Sequence, residues 1–270
     1  MTNAPTYALI TGASKGLGKA IAKELACKGK NLILVSLPEE GTRELSEAIR
    51  SEYGVDVVYY ETDFRENKNI IEFSRWVNKN YHLDILINNA GIGGSCCFTD
   101  AGTEYLEEII QLNISTPIIL LHELIPNLLR QQKAWVLNVA SMASFSPIGF
   151  KTVYPASKKF IQHFSAGLRE EFKNKNISIS CVYPGPMKTN LTISNRIEKY
   201  GLWGKLILLT PEQVAEKSIR LMFKNKRDIV PGAGNKFYWF LMTFFPPRMV
   251  LNVATNMVKK ELISENQAIT

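Results

Sequence analysis

The chain has 270 residues, of which 46% are hydrophobic and 21% charged, and its formal net charge is +7 at pH 7. This is the composition of a globular protein that can bury a sizeable core. The basic residues are scattered and not interleaved with aromatic residues, so we expect no nucleic-acid partner. The N-terminus has no basic segment followed by an apolar stretch, and no apolar run reaches the roughly 18 residues of a membrane span. We therefore expect no signal peptide and no transmembrane helix.

Four cysteines are present, at positions 27, 96, 97 and 181. Their spacing matches no zinc-binding pattern, and two adjacent cysteines do not suit a structural disulfide. We expect reduced thiols in a reducing compartment and no metal site. This predicts a cytoplasmic protein or one attached to a membrane surface.

Short apolar segments alternate with longer segments of helical period along the whole chain. The predicted strands cover residues 7–11, 31–36, 55–61, 83–88, 134–140, 177–183 and 227–230. The predicted helices cover residues 15–29, 41–54, 68–81, 103–131, 156–175 and 210–223. Most strands are continuously apolar, which is typical of parallel strands buried on both faces. The alternation predicts an α/β fold, a single doubly wound Rossmann domain over residues 1–270 with a mostly parallel seven-stranded sheet and helices on both faces.

The first strand runs into TGASKGLG, residues 11–18. Glycines in such a turn let the backbone approach a pyrophosphate, and the following helix N-terminus supplies N–H donors. In a doubly wound sheet, ligands bind beyond the carboxyl ends of the strands. This segment is therefore predicted to bind a dinucleotide through Gly12, Ser14, Lys15, Gly16, Leu17 and Gly18.

The second strand ends at VSLPEE, where an acidic residue usually marks NAD and a basic one NADP. Ser36 and Leu37 occupy the expected positions, so both usual residues are missing. Lys15 offers a positive charge to a 2′-phosphate, which favours NADP(H) over NAD(H), with Ser36 near the ribose. Glu39 and Glu40 follow slightly later and leave the opposite preference open.

The later strand ends carry further polar residues. Asp63 either binds the adenine amino group or caps the next helix. The fourth strand ends in INNAG, which brings Asn89, Ala90 and Gly91 to the sheet edge, and the fifth brings Ser141. The sixth ends in VYPGPMKT, a rigid turn that contains Pro184 and Gly185 and is followed by Thr189.

These motifs, in this order and spacing, resemble the short-chain dehydrogenase/reductase family over nearly the whole chain. TGASKGLG resembles the cofactor fingerprint of that family, NNAG its mid-sheet motif, and Ser141 followed by YPASK its active site. Tyr154 is the only tyrosine in the chain with a lysine, Lys158, four residues later. Asn113 matches the fourth active-site position, and PGPMKT matches the turn on the nicotinamide side.

The resemblance implies reversible hydride transfer between NAD(P)H and a carbonyl compound or alcohol. It assigns Tyr154 as general acid/base, Ser141 as the residue that orients the substrate oxygen, and Lys158 as the cation beside the phenol and the nicotinamide ribose. Asn113 is implied to hold a water that links Lys158 to solvent; the alternative is an ordinary polar residue inside a helix. From the residues themselves we expect Lys158 to lower the pKa of Tyr154. Pro155 predicts that the helix begins close to it or has an irregular first turn.

Two further segments bear on the substrate. Residues 187–210 form a long apolar insertion, predicted to be a substrate lid, which favours a lipophilic acyl or steroid-like substrate; simple packing onto the body is the alternative. The tail 235–260 is rich in aromatic residues and flanked by lysines, so it either packs on protein or contacts a membrane surface. The helices at 103–131 and 156–175 predict a homodimer or homotetramer by analogy with the family. A non-catalytic nucleotide-binding scaffold remains the alternative function.

Overall fold

The computed structural model describes residues 4–188 and 208–269. Its centre is a seven-stranded sheet in which all neighbouring strands are parallel and the order is β3-β2-β1-β4-β5-β6-β7. The strands are β1 (Thr6–Thr11), β2 (Asn31–Ser36), β3 (Val57–Glu61), β4 (His82–Asn88), β5 (Ala134–Val139), β6 (Ile177–Val182) and β7 (Asp228–Ile229). The predicted doubly wound fold is confirmed.

Helices connect the strands in the predicted order. They are α1 (Gly16–Cys27), α2 (Thr42–Tyr53), α3 (Asn67–Asn80), α4 (Thr103–Ile110), α5 (Thr116–Leu129), α6 (Val153–Glu171), α7 (Pro211–Phe223), α8 (Ala233–Phe244) and α9 (Pro247–Ile269). α1 ends at a left-handed glycine, Gly29, whose N–H donates to the carbonyl of Ala26 at 2.8 Å. This is the helix end that the sequence predicts.

The core lies on both faces of the sheet because successive strand residues point to opposite sides. Ile10 and Leu34 pack against α1 and α7 in one buried cluster, while Leu9 and Ile33 belong to a second cluster with α3 and α5. Full burial of each such side chain stabilises the fold by about 1.5–3 kcal/mol. Two buried faces explain why the strand sequences are continuously apolar.

β1 lies between β2 and β4, so the chain order reverses direction beside β1. Crossovers on the two sides of this point diverge and leave a crevice at the carboxyl ends of the strands. The loop after β1 and the loop after β4 therefore meet at one place, which is where the polar motifs of the sequence are found.

The helix predicted over residues 103–131 is interrupted. α4 and α5 are separated by a π-helical turn, Gln111–Ser115. Such turns widen the backbone hydrogen-bond pattern and are frequent at functional sites. The whole stretch, Thr103–Leu129, is long and apolar enough by composition to cross a membrane, which differs from the sequence expectation. It is a core helix in this fold, since Leu120, Leu124 and Leu128 are buried against the sheet.

The predicted lid is described only at its two ends. Met187 forms a parallel bridge with Leu209, and the Lys188 N–H donates to the carbonyl of Leu209 at 3.0 Å. Residues 189–207 lie outside the described part of the chain, and the predicted cofactor residue Thr189 is among them. The two described ends of the predicted lid therefore lie side by side.

Candidate active site

The glycine turn after β1 is built by close backbone approach. Gly12 has a φ of 63°, in the left-handed region that favours glycine. A Cβ on Gly18 would overlap the carbonyl oxygen of Gly12 and lie 2.7 Å from Nδ2 of Asn89. The side chain of Lys15, at the N-cap of α1, makes no capping hydrogen bond, so within the described part of the chain it leaves the backbone N–H groups of the first turn to a ligand. This cradle fits a pyrophosphate. The Leu17 side chain is buried in the core, so only its backbone is available to such a ligand.

The NNAG segment is fastened to this turn by Thr11. The Thr11 hydroxyl accepts hydrogen bonds from the N–H of Asn89 at 3.0 Å and of Ala90 at 2.9 Å. The side-chain amide of Asn89 donates to the carbonyls of Thr11 at 2.9 Å and Gly12 at 3.1 Å. The Asn89 side chain therefore holds the backbone of the glycine turn in place. Gly91 leaves the space between Asn113 and Lys158, since a Cβ there would lie 3.3 Å from Nζ of Lys158.

Ser14, Lys15 and Glu40 form one polar cluster at the edge of the turn. The Ser14 hydroxyl donates to Oε2 of Glu40 at 2.6 Å, and Nζ of Lys15 contacts Oε1 at 2.5 Å. Burial acts to raise the pKa of the Glu40 carboxyl, but hydrogen bonds from Lys15 and Ser14 outweigh it and lower that pKa. The lysine expected to meet a 2′-phosphate is thus held by a carboxylate.

The side chains of two other predicted cofactor residues, Ser36 and Asp63, form hydrogen bonds with neighbouring protein groups. The Ser36 hydroxyl is buried, bonded to the hydroxyl of Thr42, and donates to the carbonyl of Leu37 at 2.9 Å. Asp63 accepts from the N–H of Arg65 at 2.9 Å and pairs with its guanidinium, which lowers the pKa of the Asp63 carboxyl. α3 begins only at Asn67, so Asp63 forms a turn before the helix and is not its cap.

Asn113 lies in the π-helical turn and is 2% exposed. Its side chain accepts from the N–H of Ile92 and donates to the carbonyl of Ile92, both at 2.9 Å. It also donates to the hydroxyl of Ser157 at 3.0 Å. Both N–H donors of the side-chain amide are therefore used in joining the loop after β4 to α6. A water held by Asn113 would have to donate to the second lone pair of its side-chain oxygen or to its backbone carbonyl.

Ser141 follows β5 and its hydroxyl accepts a hydrogen bond from the N–H of Ala143 at 3.1 Å. The next residue, Met142, donates its N–H to the carbonyl of Pro184 at 2.9 Å. This bond places the Pro184–Gly185 turn beside Ser141. Gly185 in turn packs directly against the buried amide of Asn235 at the start of α8, where a Cβ would not fit.

Tyr154 and Lys158 lie one turn apart on α6, which begins at Val153 with Pro155 in its first turn. The proline costs no helical hydrogen bond there, because the first four N–H groups of a helix have no intrahelical acceptor. Burial raises the pKa of the Tyr154 phenol, and a hydrogen bond with Ser141 acts in the opposite direction. Lys158 is 6% exposed and donates to the carbonyl of Val139 at 3.0 Å.

The expected lowering of the Tyr154 pKa by Lys158 is not what the structure gives, because burial dominates. Burial also lowers the pKa of Lys158 to about 8. A raised pKa keeps the proton on the phenol at neutral pH, as a general acid requires. Tyr154 has a hydrogen bond with Ser141 and Nζ of Lys158 5.9 Å from its ring centre, and Gly91 lies between Lys158 and Asn113, so the four residues meet at one place.

A narrow pocket of about 10 Å³, which has room for about one water molecule, opens beside Tyr154 between the loop after β4 and the loop before α6. Its walls are largely apolar and come from Phe98, Leu106, Ile109, Phe150 and Val153. Apolar walls with a few polar groups are the kind of lining found at small-molecule sites.

A family model described as short chain dehydrogenase matches residues 6–199. The chain belongs to the short-chain dehydrogenase family. It is 33% identical over 190 residues to very-long-chain 3-oxoacyl-CoA reductase of Anas platyrhynchos, with 69% of this chain and 61% of that protein covered. The aligned part is thus less than two thirds of that relative's length.

Two other similar proteins frame the comparison. The chain is 26% identical over 264 residues to the protein named inactive hydroxysteroid dehydrogenase-like protein 1 of Homo sapiens, covering 96% of this chain and 78% of that one. A short-chain dehydrogenase from Sphingobium yanoikuyae, solved in complex with NADPH, superposes with a TM-score of 0.74 at 24% identity, covering 90% of this chain and 96% of that one. The family thus includes proteins named as reductases and proteins named as inactive.

Three residues of this short-chain dehydrogenase site were missed from the sequence. Thr11 and Ser157 act through hydrogen bonds to Asn89 and Asn113, and nothing in their local pattern marks them. Lys151 has its Nζ 5.2 Å from the centre of the Tyr154 ring, closer than Nζ of Lys158 at 5.9 Å. Its place three residues before Tyr154 is the one signal that the sequence offered.

Proposed function

We propose that this protein is an NADP(H)-preferring oxidoreductase that transfers hydride between the cofactor and a lipophilic ketone or secondary alcohol. The observation that carries the proposal is the meeting of Ser141, Tyr154 and Lys158 beside a pocket with largely apolar walls. Nicotinamide supplies or accepts the hydride when it is bound.

The chain's own residues handle the proton and the substrate oxygen. Tyr154 gives its proton to the carbonyl oxygen in reduction and takes it back in oxidation. The Ser141 hydroxyl donates a hydrogen bond to the same oxygen, where negative charge develops. The ammonium of Lys158 stabilises the phenolate that remains, and Asn113 fixes the distance between the loop after β4 and α6. The residues that would hold the cofactor are the backbone of Gly12 to Gly18, Ala90 and Gly91.

The proposed preference for NADP(H) depends on Lys15, whose ammonium is bound by the carboxylate of Glu40. A 2′-phosphate carries more negative charge than one carboxylate, so it can draw Lys15 away from Glu40. The NADPH complex of the Sphingobium yanoikuyae relative supports a nicotinamide cofactor in this fold. Titration of the protein with NADPH and with NADH, followed by fluorescence, tests the preference. At least tenfold tighter binding of NADPH is expected, and tighter binding of NADH would reverse the assignment.

The lipophilic substrate class is supported by the apolar pocket and by the name of the Anas platyrhynchos relative, a very-long-chain 3-oxoacyl-CoA reductase. The loss of NADPH absorbance on addition of long-chain aliphatic and steroidal ketones tests it. Turnover of these ketones, and not of short polar ones, is the expected result. A protein that binds the cofactor and turns over no ketone or alcohol would instead support the non-catalytic scaffold, as the relative named inactive suggests.

The C-terminal tail supports peripheral attachment to an anionic membrane. On α8, Trp239 packs 6.0 Å from the ring of Phe145, while Phe240 and Phe244 are 52% and 71% exposed. Exposed aromatic rings flanked by lysines suit a bilayer interface. The double variant Phe240→Ser/Phe244→Ser should remain in the supernatant when vesicles containing phosphatidylserine are sedimented, whereas the parent protein sediments. Tyr59→Ser/Leu129→Ser, at exposed sites away from α8, is the control; equal sedimentation of all three proteins would contradict the membrane contact.

The same surfaces that pair in related enzymes support a homodimer or homotetramer. Ile110 at the end of α4 and Phe160 on α6 are 47% and 41% exposed, and Phe160 stacks on Phe164. Apolar residues exposed on the outer faces of helices are typical of subunit contacts. Sedimentation velocity of the purified protein measures the mass directly.

A further inference from the structure

The loop of residues 147–152 leads directly into α6, the helix that carries Tyr154. Phe150 in this loop and Tyr154 itself line the same narrow pocket. Phe150 has a φ of 61°, in the left-handed region that a bulky side chain rarely adopts. Residues in such conformations persist only where the surrounding structure holds them. The shape of this wall of the active site therefore depends on the groups that hold the loop.

Two hydrogen bonds hold the loop to distant parts of the chain. The N–H of Cys96, in the segment after β4, donates to the carbonyl of Phe150 at 2.8 Å. The N–H of Gly149 donates to the hydroxyl of Thr255 at 2.9 Å, across 106 positions of the sequence. Thr255 lies on α9, so the second bond joins the C-terminal helix to the active site.

The contact between Gly149 and Thr255 is tight as well as hydrogen-bonded. A Cβ on Gly149 would lie 2.6 Å from Cγ2 of Thr255 and 3.1 Å from its hydroxyl oxygen. Ala254 and Val258, on the same side of α9, are buried. This face of α9 is thus packed on protein, and it holds the Thr255 hydroxyl at a fixed place against the loop.

We propose that Thr255 is a positioning residue for the Tyr154 site, which it serves by fixing the loop before α6 through Gly149. The inference rests on the oxidoreductase function proposed above. It adds α9 to the parts of the chain on which the reaction depends, although Thr255 lies outside residues 6–199, which the family model matches. A loop that is ordered before the substrate arrives lowers the entropy cost of binding.

Thr255→Val tests the hydrogen bond, because valine keeps the shape of threonine and lacks its hydroxyl. If the loop is ordered for only part of the time, the apparent affinity for substrate falls by that fraction. With NADPH and 2-decanone, KM should rise about fivefold, the shift that loss of one ordinary hydrogen bond produces. The value of kcat should stay within about twofold, because the loop is ordered in the substrate complex. An unchanged KM in Thr255→Val would overturn the proposal.

Two further variants serve as controls for this measurement. Thr255→Ser keeps the hydroxyl and should restore the KM of the parent protein. Thr243→Val makes the same change on α8, where the hydroxyl donates to the carbonyl of Trp239 in its own helix at 2.9 Å. This variant should also have the KM of the parent protein. A rise in KM in Thr243→Val equal to that in Thr255→Val would show a general effect of the C-terminal helices, and the role of Thr255 would be refuted.

Gly149→Ala disturbs the same contact from the side of the loop. The added Cβ meets Cγ2 of Thr255, so KM should rise as it does in Thr255→Val. Thr255→Ser removes that methyl group, and the double variant Gly149→Ala/Thr255→Ser should therefore have a lower KM than Gly149→Ala. A double variant with no lower KM than Gly149→Ala would count against the contact as described.

A spectroscopic measurement needs no turnover and so separates this proposal from the proposed function. In protein labelled with ¹³C at the tyrosine Cζ, the resonance of Tyr154 is identified by its loss in Tyr154→Phe. Thr255→Val should shift this resonance, and Thr243→Val should leave it in place. A shift in a protein that reduces no ketone would support the positioning role while the proposed function fails. An unshifted resonance in Thr255→Val overturns the positioning role, whatever the activity.

Discussion

Replacement of Asn113 by leucine is predicted to destabilise the fold as well as the active site. The side chains are similar in volume, so the change removes hydrogen bonds without opening a large cavity. Three bonds are lost: those to the N–H and the carbonyl of Ile92, both 2.9 Å, and that to the hydroxyl of Ser157, 3.0 Å. A buried polar group left without a partner costs about 1–3 kcal/mol. Because Ile92 is half-buried and can recover some hydration, we expect a loss of about 3 kcal/mol in the free energy of unfolding.

Equilibrium unfolding in urea measures this loss, and Ser157→Ala provides a graded comparison. Ser157 donates to the carbonyl of Tyr154 at 2.7 Å and accepts from Asn113, whose amide keeps its bond to Ile92 when the hydroxyl is removed. Ser157→Ala should therefore cost only about 1 kcal/mol. The hydrogen bonds between Asn113 and Ile92 do not stabilise the fold as described if the free energy of unfolding of Asn113→Leu lies within about 0.5 kcal/mol of the parent value. The same conclusion follows if Asn113→Leu is less destabilised than Ser157→Ala. Lost activity with unchanged stability would point to a purely catalytic Asn113.

Three further perturbations give results that the site predicts. Gly18→Ala should weaken NADPH binding at least tenfold, because the added Cβ meets the Gly12 carbonyl, while Gly167→Ala, in open space on α6, should bind normally in the same fluorescence titration. Between pH 8 and 10.5 the unfolded chain keeps the Lys158 proton and the folded chain releases it. The free energy of unfolding should therefore rise with pH by about 3 kcal/mol relative to that of Lys158→Met. If urea unfolding gives the same difference between the two proteins at every pH, the burial of this lysine is contradicted. Glu40→Gln should tighten NADPH binding severalfold and leave NADH unchanged, because it releases Lys15 for the 2′-phosphate; an unchanged NADPH affinity would refute that competition.

Much of this fold can be predicted from the sequence because its strands are buried on both faces. Continuous apolar runs such as NLILVS have no amphipathic alternative, and helical segments with a glycine at the end define the crossovers between them. The two terminal elements of the sheet are harder to place. β3 starts two residues later than expected and β7 shrinks to Asp228–Ile229, since strands at an edge gain less from pairing.

The site could be predicted only in part, because the spacing of residues in the sequence does not show which polar side chains bind each other in the fold. The sequence predicts Lys15 as a phosphate ligand, but in the structure its ammonium is bound by Glu40, 25 positions later. Asn89 and Ser36 read as cofactor ligands, but their side chains are bound to Thr11 and Thr42. The break of the long helix at Gln111–Ser115 is followed by Pro117 in the first turn of α5. A proline has no N–H to donate and its ring clashes with the carbonyl four residues earlier, here that of Asn113, so this proline was a local signal that the prediction of one helix over 103–131 did not use.

Single-turnover hydride transfer in Tyr154→Phe tests the central claim most directly. The variant keeps the ring and removes the proton donor, so it should bind NADPH as the parent protein does. Its rate of ketone reduction, followed by loss of NADPH absorbance in a stopped-flow instrument, should fall at least a hundredfold. Tyr59→Phe, on the exposed face of β3, should react at the parent rate. A Tyr154→Phe protein that reduces the ketone as fast as the parent would show that this phenol is not the acid of the reaction.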